Sequence, residues 1–131
     1  MHLTKRASYG LIAACELARN RSDRPISASE IARRYSLSES FVEKIMHRLK
    51  RSGLVDSRKG RSGGYTLACA ASEISVRRIL EGLDESLDLV SCIGIDSPCD
   101  LSGICPTKEA WWRINRGFIE LLDSLTLEDL I

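Results

Sequence analysis

Three of the five cysteines, Cys92, Cys99 and Cys105, are separated by six and then five residues within a stretch that shows no sustained periodicity. Thiols on an irregular loop can converge on one point, and thiolates bind soft or borderline metals: iron–sulfur clusters, zinc or Cu(I). The spacing lacks the Cys-x2-Cys knuckle typical of structural zinc sites. The same residues also read as three unrelated cysteines, or as thiols that pair on oxidation. Cys15, in a helical apolar run, and Cys69, after a strand-like run, read as small core residues. A second group with chemical reach is cationic: Lys44, Arg48, Lys50 and Arg51 in one segment, then Arg58, Lys59 and Arg61 around a Gly-rich tip. Cations in such numbers suit phosphates.

The elements that must position these residues follow from periodicity. Tyr9, Ile12, Ala13, Leu17 and Ala18 recur at helical spacing over residues 4–20. A polar break, Asn20-Arg21-Ser22-Asp23-Arg24-Pro25, ends that helix. Ser27-Ala28-Ser29-Glu30 has the form of a capping box and opens a short helix. Tyr35-Ser36-Leu37 is the turn, and Ser38 caps the next helix, predicted over residues 39–51. There Val42, Ile45, Met46 and Leu49 form an inward stripe, and Gly53 closes the helix as its C′ residue. Residues 54–57 and 65–67 flank the Gly-rich basic tip, predicting a hairpin. Ser75 caps a helix that buries Val76, Ile79, Leu80 and Leu83. Residues 84–105 lack a period and hold the three clustered cysteines. A strong helix is predicted over residues 106–124, with Pro106 in its first turn and a stripe of Trp111, Ile114, Phe118, Leu121, Leu122 and Leu125. Residues 126–131 form a last short turn. The fold class is mainly α with a small β-hairpin wing: a winged helix-turn-helix domain plus a long dimerisation helix.

The 131 residues carry 19 Lys/Arg against 18 Asp/Glu, a net charge of +1 that hides an asymmetry. Residues 1–68 hold 14 Lys/Arg and 6 Asp/Glu, net +8; residues 69–131 hold 5 and 12, net −7. A basic half joined to an acidic half points to one polyanion-binding part and one part with other work. The division is a DNA-binding domain over residues 1–68, whose first helix is also free to pack on the dimer helix, and a sensor and dimerisation region over residues 69–131. At 44% hydrophobic residues the chain can bury a core, which excludes the disordered classes. The apolar run from Leu11 to Cys15 is too short for a signal-peptide core, and no stretch approaches the ~20 apolar residues of a membrane span. A cytoplasmic protein is expected, with no membrane partner and no disulfide framework.

Two helices, a short turn and a basic hairpin make a helix-turn-helix with a wing. The second helix buries one face and leaves Glu39, Ser40, Glu43, Lys44, His47, Arg48 and Lys50 outside, facing a major groove. Its N-terminal end reaches base edges, so Ser40, Glu43 and Lys44 are candidates for direct readout, and Ser38 at the cap is a further DNA-binding candidate; a carboxylate accepts from cytosine N4. Arg48, Lys50 and Arg51 lie farther along and suit phosphates. Arg58, Lys59 and Arg61 on the wing reach the backbone or a narrow minor groove. A charged outer face alone is commonly just solvated, and His47 alone reads as merely exposed. It is their conjunction with the +8 segment that points to DNA. Gly60-Arg61-Ser62-Gly63-Gly64 lacks the pattern of a phosphate-cradling enzyme loop.

Taken in order, these residues resemble the IscR/NsrR-type winged-helix regulators, the Rrf-two family. The resemblance spans nearly the whole chain: Leu3-Thr4-Lys5, the helix from Ser38 to Leu49, the wing with Gly60, Gly63, Gly64 and Tyr65, Asp84-Glu85-Ser86 before the cysteines, and Trp111 and Arg113 after them. It implies a homodimer on double-stranded operator DNA that represses or activates transcription. It also implies a 2Fe-2S or 4Fe-4S cluster on Cys92, Cys99 and Cys105, with the long helix as dimer interface. The chain departs from the family at the fourth ligand. Lys108 stands where the iron–sulfur-assembly regulators have His, and Ser8 where the nitric-oxide sensors have an Asp from the partner subunit. The nuclearity and the fourth ligand are therefore left open, with an external ligand or His2 able to complete the site.

Helix-turn-helix dimers bind half-sites ~34 Å apart, so a dimer interface is required, and residues 106–124 are its best source. The expected function is control of operator binding by an iron–sulfur cluster that senses iron, redox state, nitric oxide or oxidative stress. The alternative is a winged-helix regulator that senses oxidants directly through its thiols or binds zinc, without a cluster. A cysteine-nucleophile enzyme is disfavoured because His2 and His47 have no context suggesting a Cys–His pair, and no small-molecule substrate is expected. A DNA-free adaptor is a further reading, opposed by the basic face.

Overall fold

The computed structural model describes residues 3–90, 93 and 103–131. Its first helices begin where serine and threonine side chains satisfy exposed backbone N–H groups. Thr4 caps α1 (Lys5–Arg19), and Ser27 caps α2 (Ala28–Arg34) by accepting from the Glu30 N–H at 3.1 Å. The predicted capping box is half formed, because the Glu30 carboxylate turns away to accept from Arg24 at 2.9 Å. Ser38 caps α3 (Glu39–Arg51), accepting from Phe41 at 3.2 Å. The far end of α3 is a full Schellman motif. Leu54 N–H donates to the Leu49 carbonyl and Gly53 N–H to that of Lys50, both at 3.0 Å, with Gly53 at φ +83°.

The chain then turns into the antiparallel hairpin β1 (Val55–Arg58) and β2 (Gly64–Leu67), in the register Val55 opposite Leu67 and Arg58 opposite Gly64. Ile26 adds an isolated bridge on the other side of β2, exchanging both backbone hydrogen bonds with Tyr65. A side chain at Gly64 would come within 2.5 Å of the Ile26 carbonyl, so glycine is what lets this third segment approach. After a single 3-10 turn (Ala71–Glu73), Ser75 caps α4 (Val76–Gly82), and the chain later resumes in α5 (Lys108–Ser124) and α6 (Leu127–Leu130).

The predicted α3 stripe of Val42, Ile45, Met46 and Leu49 is buried to 1% exposure or less. It packs with Leu17 of α1, Ile31 of α2, Leu54 and Val55 of the hairpin, Ile79 and Leu83 of α4, and Leu127 of α6. Each such side chain contributes about 1.5–3 kcal/mol on burial. A smaller cluster joins Ala7 and Leu11 of α1, Val76 and Leu80 of α4, Leu87, and Phe118, Ile119 and Leu122 of α5.

Two details of α5 differ from expectation. It begins at Lys108 rather than at 106, because the Thr107 carbonyl is the first to enter the ladder, accepting from Trp111 at 3.1 Å; Pro106 lies in the preceding turn. The single stripe also separates into two faces. Asn115, Ile119 and Leu122 pack inward, whereas Trp111, Ile114, Leu121 and Leu125 are exposed, Leu121 to 59%. With Phe118 between them, these outer residues are spaced by three, four, three and four, the a/d repeat of a coiled-coil seam.

Candidate nucleic-acid interface

The side of α3 opposite its core stripe carries Ser40, Glu43, Lys44 and His47, all exposed, at spacing that keeps them on one face. They stand beside an open groove of about 440 Å³ whose lining includes Glu43, Lys44, His47, Arg48, Arg51 and Tyr65. A second groove, of about 380 Å³, lies between α3, the start of α2 and the hairpin, where Ser27, Ser57, Lys59 and Gly63 face Glu43 and Tyr65. Glu43 and Tyr65 line both grooves, and the Tyr65 hydroxyl donates to Glu43 Oε2 at 2.8 Å. Burial, then that hydrogen bond and the carboxylate charge, push the Tyr65 phenol up to about 12.

The other predicted contacts divide by what holds them. Ser38 spends its acceptor on the α3 cap. Lys50 is exposed near the end of α3, and Lys59 and Arg61 are exposed at the hairpin tip. Arg58 is anchored, donating to the Asp23 carbonyl at 3.3 Å. Arg48 is only half exposed and forms an ion pair with Asp84, which Arg51 joins at 3.3 Å. The sequence reading missed Asp84 in this role. Its backbone is left-handed, at φ +61°, and it follows α4 directly, at the head of the segment that leads to the cysteines.

That segment is tied down at two further points. Glu85 accepts from the Thr4 hydroxyl and pairs with Arg6 at 3.5 Å. The Leu89 N–H donates to Oδ1 of Asn115 at 2.8 Å, which gives this buried α5 amide its partner. A polar residue on an otherwise apolar inward face was the one sequence signal for Asn115. A buried carboxylate, Glu16, joins α1 to the end of α2 by accepting from Tyr35 and pairing with Arg34. It braces the helix-turn-helix from behind, and the hydrogen bond to it raises the Tyr35 phenol above its ordinary range.

Cys92 and Cys99, with His2, lie outside the described residues. Among the described residues no group of three or more His, Cys, Asp or Glu side chains is assembled as a metal site. Cys105 is described: its Sγ lies 3.4 Å from the Thr107 hydroxyl. Hydrogen bonds from that hydroxyl, and from the Thr107 and Lys108 backbone, hold the thiol below its ordinary range. A thiol that gives up its proton more readily fits the donor chemistry of an iron–sulfur cluster and also that of a reactive cysteine. Cys15 is half-buried against the edge of the main core rather than inside it, and that burial pushes its thiol up.

The profile of the Rrf2 family, described as "Iron-dependent Transcriptional regulator", matches residues 3–131. The chain is 32% identical over 131 residues to the HTH-type transcriptional regulator IscR of Pectobacterium atrosepticum, covering 100% of this chain and 79% of that protein. Among solved structures it is similar to CymR (YrzC), the global cysteine regulator of B. subtilis, with a TM-score of 0.81, 32% identity, and coverage of 99% of this chain and 95% of that one. It is also similar to T. potens IscR, with a TM-score of 0.76, 31% identity, and coverage of 99% and 85%. No helix among the described residues is long and apolar enough to cross a membrane. The exposed basic face of α3, the hairpin wing and the match over nearly the whole length place this chain in the Rrf2 family of winged-helix transcriptional regulators, DNA-binding proteins rather than enzymes.

Proposed function

We propose that this regulator is a homodimer that reads operator DNA with α3 and the wing, and that an iron–sulfur cluster on Cys92, Cys99 and Cys105 sets its affinity. The observation that carries the reading is the pairing of Asp84 with Arg48 and Arg51. It ties the segment leading to the cysteines to the two arginines at the phosphate-facing end of the recognition helix. Ser40, Glu43 and Lys44 contact bases; Arg48, Lys50, Arg58, Lys59 and Arg61 contact phosphates; Ser38 fixes the start of α3 against the duplex. The basic residues 1–68 face DNA, and the acidic residues 69–131 carry sensing and dimerisation.

The cluster, when bound, supplies an iron-, oxidant- and nitric-oxide-sensitive centre. Whatever displaces the 84–89 segment acts on three residues at once: Asp84 on α3, Glu85 on the N-terminus of α1, and the Leu89 amide on α5. A ligand shifts such an equilibrium only by its differential affinity for the two arrangements. The seam of Trp111, Ile114, Phe118, Leu121 and Leu125 pairs with the same face of a second copy, giving the two-fold symmetry that paired half-sites need.

Iron and acid-labile sulfide assays with visible spectroscopy on anaerobically purified protein test the cofactor: the expected result is colour and iron lost together in Cys92→Ala, Cys99→Ala and Cys105→Ala. Colourless, iron-free protein would overturn it. The likeness to CymR, whose Staphylococcus aureus form has also been solved oxidized, and the hydrogen bonds that hold the Cys105 thiol below its ordinary range favour one second reading, direct sensing through cysteine thiols. Iron-free protein whose DNA binding changes on oxidation would establish it.

A further inference from the structure

We infer that Tyr65 of the wing is a positioning residue for base readout: its phenol holds the Glu43 carboxylate so that one oxygen is left aimed at a base edge. This rests on Glu43 being a base-reading residue, as proposed above. Glu43 is exposed on α3, and a free glutamate there would sample many rotamers. Tyr65 removes that freedom by donating to Oε2 at 2.8 Å.

The tyrosine is itself unusually well fixed for a residue of a small hairpin. It pairs with Ser57 across β1 and β2. On its other side its N–H donates to the Ile26 carbonyl at 2.8 Å, and its carbonyl accepts from the Ile26 N–H at 3.0 Å. Its backbone is therefore held between two neighbours, one of them the segment that enters α2. The phenol bridges from this three-segment platform to the recognition helix.

The division of acceptors has a chemical consequence. A carboxylate offers about four lone-pair sites on two oxygens, and Tyr65 uses Oε2. Oε1 stays free to accept from an exocyclic amine such as cytosine N4–H in the major groove. The phenolic O–H also disperses part of the carboxylate's charge, lowering its repulsion from nearby phosphates. The bond is made before DNA arrives, so the ordering cost of Glu43 is met in the free protein rather than on binding.

The test is binding of the full-length, anaerobically purified chain to the operator recovered by selection from a random duplex pool, and to every single base-pair variant of it. Wild type, Tyr65→Phe, Glu43→Ala and the double variant are compared, with thermal melting as the folding control. Glu43→Ala is expected to lose discrimination at one position of each half-site. Tyr65→Phe is expected to lose about three- to ten-fold of discrimination at that same position, with an unchanged salt slope and no further loss in the Glu43→Ala background. Tyr65→Phe weakening all sequences equally, acting at another position, or adding its full effect in the Glu43→Ala background would overturn the positioning role. Glu43→Ala leaving discrimination unchanged, or no preferred sequence emerging, would overturn the reading of Glu43 beneath it as well.

Discussion

Asp84→Asn isolates the connection between the cysteine segment and the DNA-facing helix. In the free protein one carboxylate serves two guanidinium groups, Arg48 and Arg51. The pairs are partly open to solvent, with side-chain exposures of 32%, 63% and 55% for Arg48, Arg51 and Asp84. Each such pair contributes about 0–1 kcal/mol, so the variant loses at most about 2 kcal/mol and stays folded. DNA binding should change in the opposite direction, becoming tighter. Removing the carboxylate frees about one cationic charge per subunit for phosphate, and each neutralised phosphate adds about 0.9 to the slope of log K against log salt. A dimer gains about 1.8. Extrapolated from 1 M salt, where this contribution vanishes, that corresponds to non-specific binding about 30-fold tighter at 0.15 M. Fluorescence anisotropy with a random-sequence duplex over a series of KCl concentrations measures it. An unchanged or shallower slope would refute the reasoning, since Asp84 would then orient the arginines for DNA rather than compete with it.

Arg61→Ala, at the exposed wing tip, should lower the salt slope by about 0.9 per subunit while leaving base preference intact, read by the same anisotropy series. Leu121→Glu places a charge on the outer α5 seam at a residue 59% exposed in the single chain; helicity by circular dichroism should persist while sedimentation shows a monomer. Gly53→Ala meets no neighbouring atom within 4 Å but keeps φ +83°, so it should cost about 1–2 kcal/mol through backbone strain alone, measured by denaturant unfolding. The Tyr65 phenol, raised to about 12, stabilises the fold while protonated; that contribution is complete below about pH 10, the unfolded value, and is lost as pH rises through 12. Glu43→Gln should move the phenol's ultraviolet titration midpoint down.

What the sequence disclosed and what it withheld divide by the range of the interaction. Ser27, Ser38 and Ser75 were legible as caps because each bonds a backbone N–H three residues away. Gly53 was legible because a helix end demands a left-handed residue. The α3 stripe was legible because one helix period places four apolar residues on one side. The couplings that organise the interface join residues far apart in the chain: Tyr65 to Glu43, Asp84 to Arg48, Asn115 to Leu89. No local pattern announces them. Asp84-Glu85-Ser86 stood out only through family likeness, and the structure gives its first two residues partners on α3 and α1. The α5 stripe was found, but its split into an inward face at Leu122 and an outward seam at Leu121 depends on where α4 packs.

The most direct test of cluster-controlled DNA binding compares cluster-loaded and cluster-free preparations of the same chain on one selected operator at fixed salt. Cluster control predicts dissociation constants that differ at least five-fold, the lower end of ordinary allosteric coupling, with the difference reduced in Asp84→Asn. Equal affinity of the two preparations would contradict it.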